Sequence, residues 1–339
     1  MKRKILVSLL LVVAGLLSLY LREPEEFTRS TMAMNTIIRI TVYGHDDSPL
    51  NDALTLLDDI DRLLSMYNPS SDISLINSSA GTVPISPSTE TLEAVADSMR
   101  LHEITGGVFN PLIGAVTRLW KINNADGKIP SQESLDHAVR LADIRNIDIS
   151  SDRIFLREKG CVLDLGGMAK GYASTKIAKF LKDKGVKSAL IDLGGNVHVV
   201  GAKSDGSSWR IGVRNPLQPT GSPALVADVK DCAVITSGNY ERYKTIDGKK
   251  YSHFFNPVTG ESVNSDLLSV TVITPDGSLA DGLATAFMIT GVDKALGILR
   301  EMDNPPGVVF ITQEGIIATS NLREVITKSL IPVIFAEVR

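Results

Sequence analysis

The chain is poor in the residues that build metal clusters or disulfide scaffolds: two cysteines and five histidines in 339 residues. Cys161 and Cys232 stand far apart in apolar, strand-like contexts, so buried free thiols are expected. No Cys/His pair has zinc spacing. No stretch of the exported part is strongly basic and the net charge is −4, so no nucleic-acid partner is expected. Solenoid repeats and low-complexity tracts are absent. So is the Gly-x4-Gly-Lys-Ser/Thr phosphate loop, and so is Gly-x-Gly-x-x-Gly. The N-terminal apolar run carries no cysteine for lipid attachment.

What is present is a globular composition, 43% hydrophobic and 22% charged. The length suits one large domain or two closely joined ones. Met1-Lys2-Arg3-Lys4 precedes the uncharged run Ile5–Leu21, at the short end of the roughly 17–25 residues that a membrane span needs. A basic start with an apolar run also fits a signal peptide, but a small-x-small cleavage site is not evident. An uncleaved anchor is the preferred reading, with the basic flank inside and the rest exported. The expected organisation is residues 1–30 as anchor or signal plus a polar linker (Arg22 to Ser30), and 31–339 as the folded domain. The expected location is the inner membrane, facing the periplasm or another extracytoplasmic side.

Periodicity predicts a strand over Met34–Gly44 and helices over Asp52–Met66, Thr89–Thr105 and Ser131–Leu141, with a further helix starting after Pro111. Ser65 to Asn77 reads as turn-rich. Strands are expected at 153–156, 161–165, 188–193, 197–200, 209–213, 224–229 and 233–236, with a helix over Ala169–Lys184. Asp247-Gly248 predicts a hairpin turn. A strand at 267–273, a helix ended by Gly291 and two strands at 307–312 and 315–319 close the chain. Helices early and antiparallel hairpins late predict an α+β fold, with mixed or antiparallel sheets and flanking helices.

Asp-Leu-Gly-Gly occurs twice, at Asp164–Gly167 and Asp192–Gly195, and only the first copy continues into Ala169-Lys170-Gly171. The strand–helix–strand order around it suits a dinucleotide-binding unit, but the glycine spacing misses and no second unit follows. The glycines would let a ligand approach the backbone, the following helix offers N–H groups to an anion, and Lys170 adds a point charge. A tight turn with a solvated lysine explains the same residues. Asp281 and Thr285 lie four apart on one predicted helix, so both emerge on one otherwise apolar face. A hard cation such as Mg²⁺ would satisfy them. Dipole and backbone contacts would serve as well. His253, at the end of a hairpin strand, suits a general base or a structural histidine.

In order along the chain, these segments resemble the ApbE family, the FAD:protein FMN transferases. The resemblance is carried by "MNT", "SMYNPSSDIS", "VFNPLIGAVTRLW", "DLGGMAKGYA", "DLGGNV", "WRIGVRNP", "TSGNYERY", "YSHFFNPVTG" and "SVTVITPDGSLADGLATAF". It implies an ApbE-like (T-fold-like) architecture, with Mg²⁺ as cofactor and FAD as substrate. The FMN half would pass to a Thr or Ser hydroxyl of an acceptor protein, of the kind found in membrane redox complexes. The new bond is a phosphoester and AMP is released. Some relatives instead hydrolyse FAD to FMN and AMP, and a flavin-binding protein without turnover is a further alternative.

Carried over residue by residue, the resemblance places Met34, Tyr67, Val108, Phe109, Asn110, Asp164, Lys170 and His253 at the FAD. It places the Gly167 carbonyl, Asp281 and Thr285 on Mg²⁺, with His253 or Asp281 as the base. Asn35 stands where the family has Gly, and Asn110 where it commonly has Asp.

Overall fold

The computed structural model describes residues 23–122, 128–218, 222–240 and 242–338. The N-terminal apolar run, and with it the anchor reading, lies outside the described residues. Among the described residues no helix is long and apolar enough to cross a membrane.

The strands, in chain order, are β1 (Glu25–Ala33), β2 (Thr36–Gly44), β3 (Ile147–Ile149), β4 (Ile154–Leu156), β5 (Ser188–Leu193), β6 (Asn196–Val200), β7 (Trp209–Arg214) and β8 (Pro223–Val229). There follow β9 (Ala233–Gly238), β10 (Tyr243–Ile246), β11 (Lys249–Ser252), β12 (Leu267–Thr274), β13 (Gly307–Thr312), β14 (Ile316–Thr319), β15 (Ile326–Ser329) and β16 (Val333–Ala336). The helices are α1 (Ser48–Leu64), α2 (Asp72–Ser78), α3 (Thr89–Ile104), α4 (Gly114–Trp120), α5 (Gln132–Leu141), α6 (Ala169–Asp183), α7 (Gly277–Thr290) and α8 (Val292–Glu301).

Nine strands form one sheet in the order β1-β2-β5-β6-β9-β12-β13-β14-β16, and only the β14–β16 pair is parallel. Both faces of this sheet are covered. In β13, Val308 and Phe310 point into the helical layer, while Val309 and Ile311 point toward the three-stranded sheet β15-β8-β7. Strict alternation of apolar residues on both sides is what a strand sandwiched between two layers requires. The helical layer follows from spacing. Leu50, Ala53, Leu57, Ile60 and Leu64 make one buried stripe along α1. Each of the four Leu and Ile side chains contributes roughly 1.5–3 kcal/mol when fully buried. Helix α7 is different: ten of its fourteen residues are buried, so it runs through the interior rather than over it.

Several expectations need correction. The polar stretch read as a linker is, from Glu25 onward, the edge strand β1, paired along its length with β2. The turn-rich stretch contains α2, capped by Ser71, whose hydroxyl accepts the Ser74 N–H. Residues 161–165 are not a strand; Val162 makes only an isolated bridge to Ile113. Cys161 and Cys232 are free and buried.

Candidate functional site

Two glycines set the geometry at the centre. A Cβ on Gly171 would fall 2.0 Å from the Gly277 carbonyl oxygen and 2.6 Å from the Asp281 Cβ. A Cβ on Gly277 would fall 2.7 Å from the Gly171 carbonyl oxygen. Helices α6 and α7 therefore meet backbone to backbone. Gly171 makes room for a helix, not for a ligand, which corrects the sequence expectation. Met168, at the head of α6, offers no side-chain cap. The Asp281 carboxylate supplies one from the neighbouring helix, its Oδ2 accepting the Gly171 N–H at 2.8 Å. One turn further along α7, the Thr285 hydroxyl donates to the Gly167 carbonyl at 3.0 Å rather than to its own helix.

This junction forms part of the wall of a cavity of about 770 Å³. Every candidate residue lines it: Met34, Tyr67, Val108, Phe109, Asn110, Asp164, Gly167, Lys170, His253, Asp281 and Thr285. Local structure explains each placement. The turn between β1 and β2 puts both Met34 (φ 49°) and Asn35 (φ 59°) in the left-handed region, as a two-residue hairpin loop of this kind demands. The Asp61 carboxylate holds that turn by accepting the Met34 N–H at 2.9 Å. Phe109 is fixed at both ends of its backbone: its N–H reaches the Thr105 hydroxyl and its carbonyl accepts from His102 Nδ1, each at 2.9 Å. The Asn110 amide donates to the Ala142 carbonyl and accepts the Leu112 N–H, both at 2.8 Å. Asp164 folds its own turn, accepting the Gly166 N–H at 2.9 Å. Trp120 of α4 stacks on Phe255 and donates its indole N–H to the Gly260 carbonyl, tying α4 to the segment that carries His253.

Electrostatics distinguish two of these groups. Removal from water pushes His253 down to about 4, and the Arg242 and Lys170 charges push the same way. Its Nδ1 lies 2.9 Å from the Arg242 carbonyl. A carbonyl only accepts, so Nδ1 carries the ring proton and Nε2 keeps its lone pair. The ring is a neutral acceptor. Burial raises the Asp164 carboxyl, while Gly166, Thr117 and Arg118 pull it back down.

The oxygens of Gly167, Thr285 and Asp281 form an all-oxygen donor set with a single carboxylate. Among the described residues no group of three or more His, Cys, Asp or Glu could hold a metal. Soft or thiolate-binding metals have no ligands here. Mg²⁺ fits, because it takes oxygen ligands and keeps positions for water and substrate phosphates.

Sequence reasoning missed several participants. Arg118, Arg242 and Asp61 also line the cavity. Asn196, immediately after the second Asp-Leu-Gly-Gly, donates its amide to Asp281 Oδ1 at 3.3 Å. The repeat itself was the available signal for Asn196. Asp61 acts across 27 residues of sequence, and nothing local marks it.

Comparison with known proteins supplies the family. The sequence model of the ApbE family matches residues 34–310. A FAD:protein FMN transferase of Treponema pallidum is 33% identical, over 84% of this chain and 83% of the relative. One from Klebsiella pneumoniae is 30% identical, over 88% of this chain and 93% of the relative. Among solved structures, the ApbE protein of Thermotoga maritima superposes with a TM-score of 0.82 at 25% identity, covering 90% of this chain and 100% of that one. The flavin transferase ApbE from Vibrio cholerae gives 0.79 at 26% identity, covering 89% and 99%. With the family match running from the β1–β2 turn to β13, and so across the whole cavity, this chain belongs to the ApbE family of flavin transferases.

Proposed function

We propose that the cavity binds FAD and that the chain transfers its FMN half to a Thr or Ser hydroxyl of an acceptor protein, forming a phosphoester and releasing AMP. The observation that carries this reading is the Asp281–Thr285–Gly167 oxygen set in a cavity that also holds a neutral histidine and Lys170. A phosphoryl transfer site needs charge neutralisation and positioning more than a covalent group from the enzyme. Bound by these three residues, Mg²⁺ would neutralise charge on the pyrophosphate.

The chain's own residues do the rest. Lys170 supplies a fixed positive charge beside the pyrophosphate. Phe109, Met34 and Tyr67 give apolar and aromatic surface for the rings. The acceptor hydroxyl oxygen attacks the phosphorus that carries FMN. Its proton passes to His253 Nε2, which is free because Nδ1 is committed to the Arg242 carbonyl. The bond from that phosphorus to the oxygen of the AMP phosphate breaks, and AMP leaves with the electron pair. Asp281 is a weaker candidate for the base, because its oxygens are engaged by Gly171 and Asn196. We place this chemistry outside the cytoplasm, with the N-terminal run as membrane anchor.

The test is to mix the protein with FAD, Mg²⁺ and an acceptor polypeptide, then measure acceptor mass and free AMP. A gain of one FMN with equimolar AMP is expected. AMP and free FMN without acceptor labelling would replace transfer with hydrolysis, and neither product would leave binding alone.

A further inference from the structure

The second Asp-Leu-Gly-Gly closes the β5–β6 hairpin. Gly194 (φ 69°) and Gly195 (φ 95°) are its two left-handed residues, and Asp192 Oδ1 accepts the Gly195 N–H at 2.7 Å. A Cβ on Gly194 would fall 2.2 Å from the Thr36 hydroxyl oxygen, so this turn packs directly against the β1–β2 turn that carries Met34. The first residue past the turn is Asn196, 2% exposed. Its Nδ2 donates to Asp281 Oδ1 at 3.3 Å, and its Oδ1 accepts the Thr236 N–H at 3.4 Å. The amide has one workable orientation. Turned over, its oxygen would face a carboxylate and its NH₂ would face an N–H. With Gly171 on Oδ2, the Asp281 carboxylate takes a donor on each oxygen, from two different strand and helix ends.

We propose that Asn196 is a positioning residue for the cation site: it fixes the rotamer of the Asp281 carboxylate and, being neutral, holds the site at one negative charge. The inference rests on Asp281 being a cation ligand, as argued above. Partners that orient a metal-binding carboxylate are worth roughly 10–100-fold in metal affinity. The bond is buried and joins α7 to the start of β6, and through its Oδ1 the same amide also holds Thr236 of β9, which lines the cavity. A single charge also suits the substrate. A second carboxylate would tighten the cation alone and repel the phosphates that must share it.

The test uses the full chain in detergent, stripped of metal, with Mg²⁺ titrated by calorimetry in the absence of FAD. Asn196→Ala is expected to weaken Mg²⁺ binding by roughly 10–100-fold. Saturating Mg²⁺ is expected to restore its kcat, with the KM for FAD near the parent value, a rescue that a general packing defect would not show. Asn196→Asp, nearly isosteric, is expected to bind Mg²⁺ alone more tightly and to bind FAD more weakly by flavin fluorescence in chelator. It carries the test if the alanine variant does not fold. Parent-like Mg²⁺ affinity in both variants, with affinity lost in Asp281→Ala, overturns the role of Asn196 and leaves the cation site standing. Parent-like affinity in Asp281→Ala removes the cation site and this proposal with it.

Discussion

Gly171 and Asp281 belong to different helices, yet the N–H of one reaches the carboxylate of the other at 2.8 Å. Only the missing Cβ at Gly171 permits this approach. Gly171→Ala is therefore expected to fail twice. The added methyl meets backbone at 2.0 Å, which no side-chain rotation relieves. Overpacking of this kind costs about 1–3 kcal/mol or more. The displaced α7 also carries Asp281 and Thr285 away from Gly167. A thermal melt and an AMP-release assay read the two effects, and parent values in both would show that the helices separate without cost.

Asp281→Ala removes a cap as well as a charge. Loss of the cap on α6 is expected to cost about 0.5–2 kcal/mol. Turnover is expected to fall by roughly 10²-fold or more, since a cation's charge stabilisation is worth several kcal/mol. Some FAD binding should persist, because Phe109 and the other ring contacts are untouched. Turnover that resists both the mutation and chelation would remove the metal site.

His253→Ala is expected to slow transfer by roughly 10²–10⁴-fold while FAD affinity changes little. The pH profile carries more information. The folded value of about 4 lies below the ordinary 6.5, so the ring stays a base through mildly acidic solution. The acid limb of kcat/KM should lie nearer pH 4 than pH 6.5. Stability follows the same sign: the unfolded chain takes up the proton first, so stability falls as pH drops from 6.5 toward 4. An acid limb near 6.5 that vanishes in His253→Ala would show that the ring is solvated.

Asn110→Asp replaces an amide whose two ends are both hydrogen-bonded, and it should destabilise. The Asn110 NH₂ donates to the Ala142 carbonyl at 2.8 Å. A carboxylate oxygen in its place would oppose that carbonyl, at a cost of about 1–3 kcal/mol for the orphaned acceptors. Denaturant melts check this. A variant as stable as the parent would mean that the loop re-pairs elsewhere.

Much of the site was legible, for local reasons. Asp281 and Thr285 stood out because helical spacing puts them on one face and nothing apolar explains them. His253 stood out at the end of a hairpin strand whose turn is written as Asp-Gly. Met34, Tyr67, Val108 to Asn110, Asp164, Gly167 and Lys170 came from ordered motifs rather than from periodicity. Strand β1 was hidden because it is a sheet edge with eight of its nine residues wholly or partly exposed, which leaves no alternation to read. Helix α2 was hidden because its cap, Ser71, also reads as a turn residue. The repeat marked the position of Asn196, but neither its role nor that of Gly171 was legible. Each depends on a partner more than eighty residues away, and only the tertiary packing reveals it.

The β10–β11 hairpin has a consequence for how this enzyme tolerates insertions. Tyr243 pairs with Ser252 as the outermost rung, and just beyond it the Arg242 carbonyl meets the His253 ring in the bond that places the ring proton on Nδ1. The loop at Asp247-Gly248 is surface-exposed, the kind of place where chain length normally drifts freely. Here its length is a gear setting. One residue more or less would slide a different carbonyl, or none, against His253 and leave the imidazole free to choose the wrong tautomer. The length of a surface loop thereby bears on the geometry of the candidate site.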